Sequence, residues 1–286
     1  MTGFNLFQLL NGLTFAALLF VVASGFTLIF GLMRIVNLAH GALYLAGGYA
    51  GYAVGSLSGS FAVGVLSAMA AAAILGLVLD RGLLRFVRGH DLRQVLLTLG
   101  VALVIDDLLL VAWGGDTFTI AVPPSLVGAV RFAGVFYPRY RLFVLLLGVA
   151  VFVALWLLIN RTRLGALIRA GVDDAETIDA MGINIRRIFL VTFMLGAALA
   201  GLGGAIGGAF LTLYPGADSE ILVFSLAVVI IGGRGSLAGA AIGALMVGLL
   251  NAIGQVMFPE LAYFVIFGPV AAILAFRPLG LFGKPA

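Results

Sequence analysis

The chain has 286 residues, 63% of them hydrophobic and 10% charged, with a mean hydropathy of +1.22. That balance excludes a soluble globular domain, in which about a quarter of residues carry charge, and the length leaves no room for a separate catalytic domain. The net charge of +4 comes from basic residues scattered over loops, which is no nucleic-acid signal, and without cysteine there are no disulfides and no thiol chemistry.

Apolar runs fall near residues 6–31, 38–57, 61–79, 95–113, 141–159, 188–212, 221–233, 237–257 and 261–276. Most approach the ~20 residues that a helix needs to cross a bilayer. The seventh is short and fits a half-helix. The expected fold class is therefore all-α: one polytopic transmembrane helical bundle of eight or nine spans, forming a single domain over 1–286. The short alternating segments of a β-barrel are missing from the pattern. No Lys or Arg precedes Arg34. The first run thus lacks the basic region of a cleaved signal peptide and is expected to stay.

Basic residues set the orientation. Arg81, Arg85, Arg88 and Arg93 occupy one loop, and Arg161, Arg163, Arg169, Arg186 and Arg187 another, two spans away. Arg34, Arg234, Arg277 and Lys284 fall on the same side, whereas Arg131, Arg139 and Arg141 fall opposite. The positive-inside rule makes the first set cytoplasmic, together with the C-terminus. The loop over 114–140 is then external. It holds Pro123, Pro124 and Pro138 and reads as extended rather than helical.

Small residues recur every four positions in the sixth run, at Gly196, Ala200, Gly204 and Gly208, and in the eighth, at Gly235, Gly239 and Gly243. Such stripes let helix backbones approach closely. They serve packing within the chain, or a subunit interface.

No phosphate-binding GxxxxGK[ST] occurs, nor HExxH, nor GxSxG, and His40 and His90 are the only histidines. The chain therefore offers no constellation for an enzyme. Polar residues within apolar runs are the remaining candidates. Asp106 and Asp107 lie inside the fourth run, where an ionisable group is expensive. They fit a structural pairing, an interfacial position or a proton or ammonium site. Asn37 and His40, in MRIVNLAHG, point to a helix break at membrane depth, which is tolerated where it lines a cavity or is hydrogen-bonded as a connection.

The segment over 164–187 stands apart. Between two apolar runs it carries Arg169, Asp173, Asp174, Glu176, Asp179, Arg186 and Arg187. Gly165 and Gly182 flank it, and Asp173 or Asp174 can cap a short helix from Ala175 to Met181. A mixed-charge helix there is a solvated loop or a docking surface for a partner in water.

Four stretches carry a family resemblance: GFTLIFGLMRIVNLAHGALYLAGGY (25–49), RTRLGALIRAGVDDAETIDAMGIN (161–184), FMLGAALAGLGGAIGG (193–208) and VVIIGGRGSLAGAAIGALMVGLL (228–250). The chain resembles the LivH-type permeases, integral membrane subunits of ABC importers for branched-chain amino acids. The resemblance implies a second permease of similar type, two cytoplasmic ATPases and a periplasmic binding protein as partners. It implies no cofactor on this chain, since ATP is held by other subunits, and an inner-membrane location. The segment from Arg169 to Gly182 matches the family's coupling loop. Ala170, Asp174, Gly182, Ile183 and Asn184 fit its pattern, whereas Ile178 stands where a small residue is expected and Arg234 where Leu is usual. The implied function is passage of a branched-chain amino acid or similar small polar solute. An ion-coupled secondary transporter using Asp106 or Asp107, or a passive channel, is the alternative.

Overall fold

The computed structural model describes residues 2–33, 36–87, 89–132, 134–173, 178, 180–233 and 235–283. A chain this apolar, in lipid, must satisfy its backbone groups internally, and helices do so within each segment. The long helices are α1 (Thr2–Met33), α2 (His40–Ser58), α3 (Phe61–Val78), α4 (Asp91–Trp113) and α5 (Arg139–Arg161), then a shorter α6 (Arg163–Asp173). After the mixed-charge segment come α7 (Ile185–Phe210), α8 (Ala217–Gly232), α9 (Leu237–Met257) and α10 (Ala262–Phe276). Among the described residues side chains cap four of them: Ser60 accepts from the Val63 amide, Thr162 from Gly165, Asn184 from Arg187 and Ser236 from Gly239.

A long helix stands at each of the nine apolar runs, but only seven are long and apolar enough to cross a membrane. Among the described residues α2 and α8 are the two that fall short of that measure. Each has a physical reason. Residues 40–49 of α2 are all buried among other helices, so this glycine- and tyrosine-rich half has no need of a lipophilic surface. α8 has 16 residues, a rise of about 24 Å against a hydrocarbon core of ~30 Å.

α1 and α7 are the most enclosed of the candidate spans, while α4 and α10 are the least. α1 runs antiparallel to α7 and α9, with Gly25 against Gly196, Gly12 against Gly248 and Gly31 against Gly235. α3 packs antiparallel on α7 through Ala68 and Gly201. The bundle thus has a loop end, holding 58–60, 114–132, 134–138, 211–216 and 258–261, and an opposite end holding 161–173, 180–184 and 277–283.

The chain is mostly helical, with one short extended feature. Between α4 and α5, β1 (Ala129–Phe132) and β2 (Val135–Pro138) form an antiparallel hairpin, paired from Ala129↔Pro138 to Phe132↔Val135. Alternating Val, Phe and Tyr favour strands, and Gly134 turns the chain at φ +83. An isolated bridge joins Phe118 to Leu213, with bonds of 2.8 and 2.7 Å in both directions.

Candidate functional site

A polar cavity of about 380 Å³ opens at the loop end. Four apolar helices bring polar side chains to it. α1 supplies Gln8 and Asn11, one turn apart, and α9 supplies Asn251 and Gln255. Gln255 donates to Asn251 at 3.1 Å. α5 supplies Arg141 in its first turn and α8 supplies Glu220 in its own. Phe15, Phe210 and Phe224 give the cavity an apolar flank, and Tyr44 of the enclosed α2 also lines it.

Both charges are held in place by neutral neighbours. The Arg141 guanidinium donates to Asn11 Oδ1 and lies 5.2 Å from the centre of the Phe210 ring. Just before it, buried Tyr137 shares a 2.8 Å hydrogen bond with Thr14 of α1, which fixes the start of α5 against α1. Glu220 accepts from the Tyr214 hydroxyl at 2.8 Å. That bond, with partial burial, pushes the Tyr214 phenol up to about 12, so it stays a donor at any physiological pH. Among the described residues neither Arg141 nor Glu220 has an ion-pair partner.

The wall between α7 and α8 is strained. Thr212 lines the cavity with φ +73, the one described non-glycine residue at positive φ. A β-branched residue resists that conformation. It persists because the Phe118–Leu213 bridge and the Leu211 amide bond to Gly207, 2.6 Å, pin both sides of it.

Asn37 and His40 lie elsewhere. They are fully buried beneath the cavity's helices and line no part of it. The chain leaves α1 at Met33 and re-enters the bundle, so that α2 begins beside the middle of α1. There His40 Nε2 bonds the Val22 carbonyl at 3.0 Å, and Asn37 Oδ1 accepts from the Ala39 amide at 3.2 Å. Thr98 of α4 accepts from Leu38 at 3.1 Å. Among the described residues Asn37 Nδ2 and His40 Nδ1 have no hydrogen-bond partner.

Asp106 and Asp107 separate as the helical repeat requires. Asp107 is exposed on the outer face of α4, while Asp106 is half-buried against the carboxyl group of Asp218 at the start of α8. Asp218 is itself buried, and its backbone carbonyl lies against Gly41.

The segment expected to dock a partner is described in part. Asp174, Glu176 and Asp179, and with them most of the expected helix from Ala175 to Met181, lie outside the described residues. Upstream, the structure departs from expectation: Gly165 does not flank a helix but sits inside α6, where a Cβ would meet the Leu158 and Ile159 carbonyls of α5. Asp173 closes that same helix. Arg169 is exposed and Ala170 half-buried. Ile178 is buried with Ile168, Ile185 and Ile188, with Ala170 and Ile183 packed against them. Gly182 turns the chain at φ +80, and no described residue lies within 4 Å of where a Cβ would be. Asn184 then caps α7 at 3.1 Å.

The small-residue stripes pack within the chain. Gly196 meets Gly25 of α1, Gly204 meets Tyr44 and Gly48 of α2, and Gly208 meets Leu213 and Ile120. Ala200 is fully buried between them. Gly239 and Gly243 of α9 lie against Gly232 and Val228 of α8. Gly235 is in the turn before α9 rather than in a helix, at φ +71 against Gly31.

The apolar runs do not reveal the cavity. Arg141 reads as one basic residue outside a span, and Glu220, Tyr214, Asn11 and Asn251 as ordinary polar residues near the ends of runs. A usable signal existed: Gln8 with Asn11, and Asn251 with Gln255, are polar pairs at helical spacing near the same end of two apolar runs.

A helical bundle that carries a charged, solute-sized cavity at one membrane face defines a transport protein. The chain belongs to the family described as branched-chain amino acid transport system / permease component, whose model matches residues 8–274. It is 29% identical to the high-affinity branched-chain amino acid transport system permease protein BraD of Pseudomonas aeruginosa, over 97% of this chain and 95% of that one. It is 27% identical to the corresponding LivH of Escherichia coli K12 over the same shares. The ribose import permease RbsC of Escherichia coli K12 is 37% identical over 35% of this chain and 34% of its own. No solved structure matches the chain significantly.

Proposed function

We propose that the chain is the membrane-spanning permease subunit of an ABC importer, passing a branched-chain amino acid or similar small polar solute into the cytoplasm. It carries out no chemistry itself. ATP is hydrolysed by two cytoplasmic ATPase subunits, a second permease completes the pathway, and a periplasmic binding protein delivers the solute. The cavity end faces the periplasm, where delivery occurs. The opposite end, with exposed Arg161, Arg163, Arg169, Arg186 and Arg187, faces the cytoplasm. There the segment around Arg169, Asp173, Asp174, Glu176, Asp179, Gly182, Ile183 and Asn184 couples the permease to the ATPases. The nine long helices all lie in the membrane, with α2 and α8 shielded by the other seven.

The observation that carries this reading is the family match across nearly the whole chain. The test is uptake of labelled leucine into proteoliposomes holding the chain with the subunits it retains on purification. Uptake that needs ATP inside and binding protein outside is expected. Uptake driven by an ion gradient, without ATP, would overturn the reading.

A further inference from the structure

We propose that the outer cavity receives its solute as a zwitterion, Arg141 taking the carboxylate and Glu220 the ammonium group. This rests on the importer reading above and names the groups that handle the solute.

The two charges stand on different helices, α5 and α8, at the wall of one cavity. Each is fixed by a neutral partner and not by the other: Asn11 holds the guanidinium, and the Tyr214 hydroxyl holds the carboxylate. A guanidinium has five N–H donors and a carboxylate about four acceptor sites. Fixing each therefore leaves most of its capacity free. Oriented, unspent charges of opposite sign are what a solute with separated charges recognises.

The alternatives fit less well. Glu220 repels a simple anion and Arg141 a simple cation. A neutral solute offers each charge only an uncharged partner, where a zwitterion offers a charge-assisted bond on both sides, about twice as strong. Phe15, Phe210 and Phe224 give an aliphatic side chain an apolar surface. A cavity of about 380 Å³ lies at the lower end of the ~300–1,000 Å³ range of small-molecule sites. Glu220 is exposed and Arg141 half-exposed, so binding is weak. Weak binding suits a passage that must also release.

The experiment is saturation-transfer NMR on the chain in nanodiscs, with its retained subunits and no binding protein. The probes are L-leucine, L-leucinamide (no carboxylate) and 4-methylpentanoate (no ammonium group). Leucine is expected to bind roughly fivefold better than either analogue, the scale of a partly exposed ion pair. Arg141→Gln should reduce leucine to the level of leucinamide. Glu220→Gln, which keeps an acceptor for Tyr214, should abolish the advantage of leucine over 4-methylpentanoate, weakening leucine while strengthening that analogue, which the carboxylate no longer repels. Arg141→Lys should restore part of the loss. Equal binding of the three probes to the unaltered chain, no binding of leucine, or unaltered leucine binding in folded Glu220→Gln would each overturn the proposal. ATP-driven uptake by the same preparation separates the two readings. Uptake without the binding pattern sinks the zwitterion assignment alone, whereas absent uptake sinks the importer reading.

Discussion

Gly204 of α7 lies so close to Tyr44 of α2 that a Cβ at 204 would sit 2.0 Å from the Tyr44 carbonyl oxygen. No rotamer relieves that contact, because both partners are backbone. Gly204→Ala must push α2 and α7 apart, and overpacking of this kind costs roughly 1–3 kcal/mol or more. A lowered melting temperature of the purified protein is expected. Gly100→Ala in α4, where a Cβ meets nothing within 4 Å, should leave it unchanged or slightly raised, since alanine is the better helix former by about 1 kcal/mol. Equal effects at the two sites would contradict the close approach.

Orientation is testable because the chain has no cysteine. Asp116 and Arg169 are exposed at opposite ends of the bundle. A membrane-impermeant maleimide should label Asp116→Cys in intact cells and Arg169→Cys only after permeabilisation. The reverse pattern would invert the placement of the cavity.

Gly182 turns the chain through a left-handed conformation, with no described residue within 4 Å of where a Cβ would be. Its tolerance should therefore follow backbone preference and not size. Gly182→Asn, which adopts that conformation readily, should keep the ATPase chains bound. Gly182→Val pays about 1–2 kcal/mol for the same φ and should weaken their retention in a pull-down while the protein remains inserted. Indifference to both substitutions would remove this turn from the coupling segment.

The two adjacent aspartates of α4 should behave differently. Asp107 faces outward, so Asp107→Asn should leave uptake near the unaltered rate. Asp106 meets a second carboxyl group, Asp218. Two carboxylates at close range repel unless a proton sits between them. Asp106→Asn supplies a permanent donor and should raise thermal stability or leave it unchanged. Loss of uptake in Asp106→Asn, with assembly and ATPase activity intact, would mean that this carboxyl group acts in transport.

The positions of the long helices were legible because each is an apolar run long enough to count, and the observed bounds fall within a few residues of those expected. What the runs hid was relational. Asp218 reads as an ordinary acidic residue at a helix start, and only the seating of α4 and α8 against the same helix, α2, gives it Asp106 as a neighbour. α6 was missed because Gly165 looks like a boundary. In fact it is the helical residue that lets α6 fold tightly against the end of α5, with Leu164, Leu167 and Ile168 turned toward one apolar cluster. The hairpin of β1 and β2 fell in a stretch whose prolines argued only against helix. The cavity stayed invisible because its polar residues come from both ends of the chain, and each alone resembles the usual polar fringe of a membrane span.

The enclosure of α2 has a consequence for how the protein is made. The helix leaves the ribosome early, yet the surfaces that close over its glycines belong to α7 and α8, more than a hundred residues later. During synthesis its Gly47–Gly48 face has α3 for company but no α7 to seat against. The insertion machinery must therefore hold a weakly lipophilic helix until α7 arrives. Ribosome-bound chains ending before α7 should linger at the translocon and be cleared by membrane proteases, while chains that include it escape.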